Sequence, residues 1–147
     1  MDKPENRPQS PLGENGASPA EARGYPQTES FAKDGVFDYD DSLARLGGDS
    51  QLFNEVVDIF LEDAPKLLSQ ASTSLAAGDS ATLERAAHTL KGLSANFAAA
   101  AVVAAGYAVE LLARERRLDG AAVCFPRLET ELHRLEAALR DFRGQHS

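Results

Sequence analysis

The chain predicts an all-α fold: an antiparallel up-and-down four-helix bundle with a short extra N-terminal helix, preceded by a disordered tail. Three observations carry this expectation. Apolar residues recur every three or four positions over several long stretches, the spacing of a helix with one buried face. No stretch alternates apolar and polar residues with the period of two that a half-buried strand requires. Glycine and aspartate stand at the junctions between stretches, where helices stop and start. Short junctions between amphipathic helices make successive helices antiparallel neighbours.

Residues 1–35 contain Pro4, Pro8, Pro11, Pro19 and Pro26 and almost no aliphatic residue in a periodic arrangement. Such a segment buries too little apolar surface to offset its ordering entropy, so it reads as a disordered tail or linker, with the bundle domain over 36–147. The first helix is expected between Phe37 and Leu46 and ends at Gly47-Gly48. Asp49 or Ser50 then caps a long second helix whose stripe is Leu52, Val56, Phe60, Ala64, Leu67, Ala71 and Leu75. Pro65 within it removes a backbone donor and predicts a kink near Glu62 rather than two helices.

Gly78 stops the second helix and Asp79 or Ser80 opens the third, with Leu83, Ala87, Leu90, Ser94 and Phe97 inward. The fourth runs from about Ala99 to Arg117 with Val102, Ala105, Val109 and Leu112 inward, and its alanines allow close helix approach. Asp119 is the expected cap of the last, whose stripe is Leu128, Leu132, Leu135, Leu139 and Phe142. Pro126 there either holds the favoured first helical position or bends a short first turn at Phe125.

Composition narrows the function classes. The chain of 147 residues is 43% hydrophobic with a net charge of −8. From residue 36 on there are 11 basic and 17 acidic residues, a poor basis for nucleic-acid binding, in which Lys and Arg contacts to phosphate dominate affinity. Cys124 is the only cysteine, so no intrachain disulfide can form, and a reducing compartment fits. His88, His133 and His146 are far apart and no cluster has metal-ligand spacing, so no metal site is expected. No run of about 20 apolar residues and no signal-peptide pattern occurs, which argues against membrane insertion and for a cytoplasmic location. No Gly-x-x-x-x-Gly-Lys loop is present, so autokinase activity is not expected.

Chemistry concentrates at His88. On a helix with the inward face given above, it lies roughly 155° from the middle of that face and points to solvent. Residues three and four apart are neighbours, so Glu84 and Arg85 frame the ring on one side and Lys91 and Gly92 on the other, with Ala95 a turn further along. Glycine inside a helix costs about 1 kcal/mol relative to alanine, and an open approach to the imidazole is a reason to accept that cost. Lys91 can reach an anion held on a ring nitrogen, such as a phosphoryl group. Imidazole, with an ordinary pKa of about 6.5, is largely neutral and nucleophilic near pH 7. Glu84 could favour the charged ring, help orient it, or form a surface pair with Arg85 or a neighbour.

Other candidates are weaker. His133 also faces away from its stripe, but Glu129 and Glu136 frame it and would repel a phosphate. His146 lies at the terminus and has no role. Asp38, Asp40 and Asp41 read as carboxylates complementing a helix dipole, and the Arg114, Glu115, Arg116, Arg117 run as a charged helix end.

The string Ala87-His88-Thr89-Leu90-Lys91-Gly92-Leu93-Ser94-Ala95-Asn96-Phe97-Ala98 resembles the signature of the histidine-phosphotransfer (HPt) domain family of bacterial phosphorelays. Phe37-Asp38, Leu46-Gly47-Gly48-Asp49, Phe60, Asp63-Ala64-Pro65, Gly78-Asp79, Glu110 with Ala113-Arg114, and the late leucines follow in that family's order, over about residues 36–143. The resemblance implies that His88 accepts a phosphoryl group from a receiver-domain phospho-aspartate, or donates one to it. Lys91 would stabilise the phosphoryl charge, Gly92 and Ala95 would keep the approach open, and the surface around them, with Glu84 and Arg85, would dock the partner. The implied partner is a response-regulator receiver domain, free or within a hybrid sensor histidine kinase. No cofactor is implied for this chain, magnesium and most catalytic groups belonging to the receiver, and a monomeric relay intermediate is expected rather than an enzyme. The family's second glycine is Ala98 here, so either alanine holds a left-handed turn at about 1 kcal/mol or the turn shifts to Asn96. Two rival readings are a helical interaction module that carries no phosphate and a histidine-kinase dimerisation helix pair, which would need a second chain and an ATPase domain.

Overall fold

The computed structural model describes residues 35–145. The tail expected over 1–35 and the terminal position of His146 thus fall, apart from Gly35, outside the described residues. Five helices follow in order: α1 (Tyr39–Arg45), α2 (Ser50–Ala77), α3 (Ser80–Ala95), α4 (Ala100–Arg114) and α5 (Leu118–Gln145), with no strand among the described residues. Helix α2 packs against α3 and α5, and α4 against α3 and α5, which closes a four-helix ring, while α1 leans on α2.

Local chemistry sets most helix ends. The side chains of Asp38, Asp49 and Asp79 accept the backbone N–H groups of Asp41, Leu52 and Thr82, each satisfying a first-turn donor that the helix itself cannot. Gly78 ends α2 in the left-handed region at φ 75°, as only glycine does without strain. Pro65 and Pro126 both lie inside continuous helices. The expected single α2 is therefore found, whereas α5 starts at Leu118, ahead of both starts considered for it, and places Asp119 in its first turn rather than at its cap. Helix α4 is shorter than expected, because the chain turns at Arg116 with φ 60°.

The core matches the expected inward faces of α3 and α5: Leu83, Ala87, Leu90, Ser94 and Phe97, and Leu128, Leu132, Leu135, Leu139 and Phe142, are all buried. The α2 stripe needs correction. Phe53, Val57 and Leu68 are buried, whereas Val56, Leu67 and Leu75 are half-buried and Leu52 is exposed. Phe60, Ala64 and Ala71 belong to either stripe, and an aromatic cluster decides between them. Phe53 meets Tyr39, Phe97 and Phe142 with ring centroids 5.0, 5.8 and 5.4 Å apart, all edge-to-face, a geometry worth about 0.5–1.5 kcal/mol per pair beyond area burial. Leu112 is likewise half-buried on α4, where Gly106, Glu110 and Ala113 face inward.

The turn after α3 stays at Ala98, which takes φ 52°, while Asn96 is right-handed at φ −59°. Burial of Phe97 and the hydrogen bond from the Asp38 N–H to the Phe97 carbonyl (3.0 Å) hold the turn in place against that strain. Ala98→Gly is expected to raise stability by about 1 kcal/mol, a Tm gain of about 4–8 °C in thermal unfolding. An unchanged or lowered Tm contradicts the strain argument.

Candidate functional site

Helices α3 and α4 approach so closely that a methyl group at Gly106 would sit 3.4 Å from the Lys91 Cβ and 3.6 Å from the Ala87 carbonyl oxygen. One turn beyond Gly106, Glu110 is thereby delivered beside His88. Its side chain is only 3% exposed, yet it carries three partners: His88 Nδ1 lies 2.9 Å and Arg114 Nη2 2.7 Å from Oε2, and Lys91 Nζ lies 2.8 Å from Oε1. Arg114 also donates from Nε to Glu84 Oε2 at 2.9 Å. A carboxylate buried in a helical interface needs such partners, since an unpaired buried charge costs several kcal/mol.

Electrostatics then fixes the imidazole. Burial pushes the Glu110 carboxyl up, but the Lys91 ammonium and the hydrogen bond from His88 outweigh it and hold the group below its ordinary value. Glu110 is ionised at neutral pH and can only accept hydrogen bonds. The proton between it and His88 therefore belongs to Nδ1, which leaves the lone pair of the neutral ring on Nε2. The His88 side chain is 65% exposed, so that lone pair lies on the outer surface of the bundle. The imidazole is thus oriented by a buried carboxylate that it shares with two cations.

Two hollows border it. One, of about 500 Å³, is lined by Glu84, Arg85, Thr89, Glu110 and Arg114 together with His88. The other, of about 480 Å³, is largely apolar and is lined by Lys91, Gly92, Ala95, Val103, Ala104 and Tyr107. A Cβ at Gly92 would meet nothing within 4 Å, so the space beside it is open.

The six residues singled out from the sequence divide between these hollows, with His88, Glu84 and Arg85 lining the first and Lys91, Gly92 and Ala95 the second. Of the alternatives open for Glu84, the surface pair is the one found, with Arg114 as its partner, and the ring is oriented by Glu110. Arg85 donates to the Thr82 hydroxyl at 3.3 Å. Lys91 rests on Glu110 and on the Tyr107 ring, 5.1 Å from its centroid. Glu110, Arg114 and Tyr107 were not assigned functional roles from the sequence. A charged residue on the inward face of α4 was the available signal, because such a residue is almost never buried without partners.

His133 is exposed and lies across the bundle, in a hollow between α2 and α5 with Pro65, Glu129 and Glu136. Burial pushes the Glu136 carboxyl up there, against the opposing charges of His133 and Arg140. Among the described residues no group of three or more His, Cys, Asp or Glu side chains could hold a metal ion. No described helix is long and apolar enough to cross a membrane.

A four-helix bundle that presents one carboxylate-anchored imidazole on an open face defines a class of histidine-bearing helical module. The family model of the Hpt domain matches residues 55–138, and the chain belongs to that family. Two solved structures share the fold. Histidine-containing phosphotransfer protein B (HptB) from Pseudomonas aeruginosa PAO1 is 23% identical, with a TM-score of 0.69 over 75% of this chain and 96% of its own. The HPT domain of the Hpt sensor hybrid histidine kinase from Shewanella is 20% identical, with a TM-score of 0.70 over 77% of this chain and 97% of its own. Comparison with curated protein sequences returns no match.

Proposed function

We propose that His88 is the phosphoacceptor of a two-component phosphorelay, taking a phosphoryl group from a receiver-domain aspartate and returning it to another. The single observation that carries this is the contact of His88 Nδ1 with the buried Glu110 carboxylate at 2.9 Å, which orients the exposed ring so that Nε2 is the nitrogen left to attack in its neutral form. The Nε2 lone pair attacks the phosphorus of the acyl phosphate, the P–O bond to the aspartate breaks and its electrons leave with the carboxylate, and an N–P bond forms. The ring gains positive charge in this step, and Glu110, already hydrogen-bonded to Nδ1–H, stabilises it. The reverse step is the same path run backwards.

Lys91 is 24% exposed and rests one carboxylate away from the ring, from where its flexible stem can swing to a phosphoryl oxygen on Nε2. Arg114 shares the Glu110 carboxylate with the ring, its Nη2 lying 2.7 Å from Oε2. The open space beside Gly92 and the small side chain of Ala95 admit a receiver domain to the imidazole, and Glu84 and Arg85 present charge at its rim. Magnesium and the aspartate belong to the receiver, and no cofactor is assigned to this chain. The protein is a relay intermediate rather than a kinase, acting as a cytoplasmic monomer without nucleic-acid partners. Its acidic net charge and the closure of its core by its own helices support that reading.

The test is incubation with a panel of receiver domains carrying ³²P on aspartate. Acid-labile, alkali-stable label on this chain is the expected result, and no label from any receiver overturns the proposal. Gly92→Gln is expected to fold at least as stably as the natural protein, since the position is helical and open, while weakening receiver binding on the order of tenfold. Unchanged affinity in calorimetry contradicts the access role.

A further inference from the structure

Lys91 is held from two sides by α4. Glu110 Oε1 lies 2.8 Å from its ammonium, and the Tyr107 ring, one turn earlier on the same helix, lies 5.1 Å away at its centroid. Tyr107 is 48% exposed, an unusual setting for a large ring beside the surface that carries His88. Its ring also walls the apolar hollow beside Gly92, Ala95, Val103 and Ala104. One side chain therefore touches both the Lys91 ammonium and the surface on which a partner would sit.

We infer that Tyr107 is a positioning residue for phosphotransfer, keeping the Lys91 ammonium at the Glu110–His88 centre so that it needs only a short swing to reach a phosphoryl group on Nε2. A lysine stem has many rotamers, and an ammonium with one anchor at a half-open surface spends much of its time in solvent. The aromatic face supplies a second anchor without neutralising the charge, so the ammonium stays available to an incoming anion. A second carboxylate in that place would hold the lysine too firmly and repel the phosphoryl group.

This inference rests on the phosphotransfer reading, and the experiment separates the two. Transfer from a ³²P-labelled receiver domain is followed in single turnover with the natural chain, Tyr107→Phe, Tyr107→Leu, Lys91→Ala and the Lys91→Ala/Tyr107→Leu double variant. Tyr107→Leu keeps an apolar wall and loses the ring, and is expected to slow the first-order transfer step about threefold, the scale of an exposed cation–π contact, with receiver affinity little changed. Tyr107→Phe should restore the rate. In the Lys91→Ala background the Leu substitution should have no further effect, because the residue through which it acts is gone.

A Tyr107→Leu defect that lies in receiver affinity, or that persists unchanged in the Lys91→Ala background, overturns the inference and leaves Tyr107 as a docking contact only. Should the natural chain take no label at all, the phosphotransfer reading itself fails. The Tyr107–Lys91 contact is then judged by NMR, where ring-current shifts of the Lys91 ε-methylene protons should vanish in Tyr107→Leu and remain in Tyr107→Phe. Identical shifts in the natural chain and Tyr107→Leu overturn the inference.

Discussion

His88→Gln is expected to abolish phosphoryl transfer, with rates falling on the order of 10³-fold or more, as happens when a nucleophile is removed. Glutamine suits the test because its amide can still donate to Glu110, so the buried carboxylate keeps a partner and the bundle is not asked to hold an uncompensated charge. The side chain at 88 is mostly in solvent, and a surface replacement of this kind usually changes stability by less than about 0.5 kcal/mol. Circular dichroism and Tm should therefore match the natural protein while the labelled band disappears. Undiminished label would remove His88 from the mechanism, whatever its geometry.

Glu110→Ala should have the next largest effect. Without the carboxylate, His88 Nδ1 loses its acceptor, the proton is free to move to Nε2, and that tautomer cannot attack. Loss of a carboxylate that orients a metal-bound histidine typically costs about 10–100-fold, and a reduction in transfer rate on that scale is expected here. Lys91 and Arg114 lose their shared anion at the same time. Glu110→Gln keeps an acceptor oxygen without the charge and should fall between. Long-range ¹⁵N–¹H correlation spectra read the tautomer directly: an Nδ1–H ring in the natural protein and a mixture in Glu110→Ala. If the tautomer is the same in both, the orienting role assigned to Glu110 is wrong.

The acid limb of stability follows from the same group. The folded state holds the Glu110 carboxyl below its ordinary value, so its contribution is complete above the unfolded value of about 4.3 and is lost as pH falls through the lower folded one. Glu110→Gln should flatten that part of the acid unfolding profile, because stability falls at neutral pH, where the contribution is complete, and is little changed at pH values below the folded one.

Much of the bundle was legible in the residues in order. Asp49, Gly78 and Asp79 act through their own neighbours, within one turn, so capping chemistry places both ends of α2 and the start of α3 without knowledge of the rest. The inward faces of α3 and α5 were legible for a similar reason, since each has one narrow apolar stripe. Helix α2 offered two overlapping stripes, and choosing between Leu52 and Phe53 required Tyr39, Phe97 and Phe142, which come from three other parts of the chain. The exposed setting of His88 and its neighbours Glu84, Arg85, Lys91 and Gly92 was likewise a matter of helical phase alone.

The chain order by itself determined the helices, most of their caps and the outward imidazole, because those follow from interactions between residues at most four positions apart. Only the packed bundle decided what that imidazole can do. Glu110 lies 22 residues after His88. No local spacing rule links them, and they meet because Gly106 and Ala87 let two helices come close enough for a buried carboxylate to reach the surface ring. Which ring nitrogen keeps the proton, and where Lys91 waits, are properties of that contact between helices.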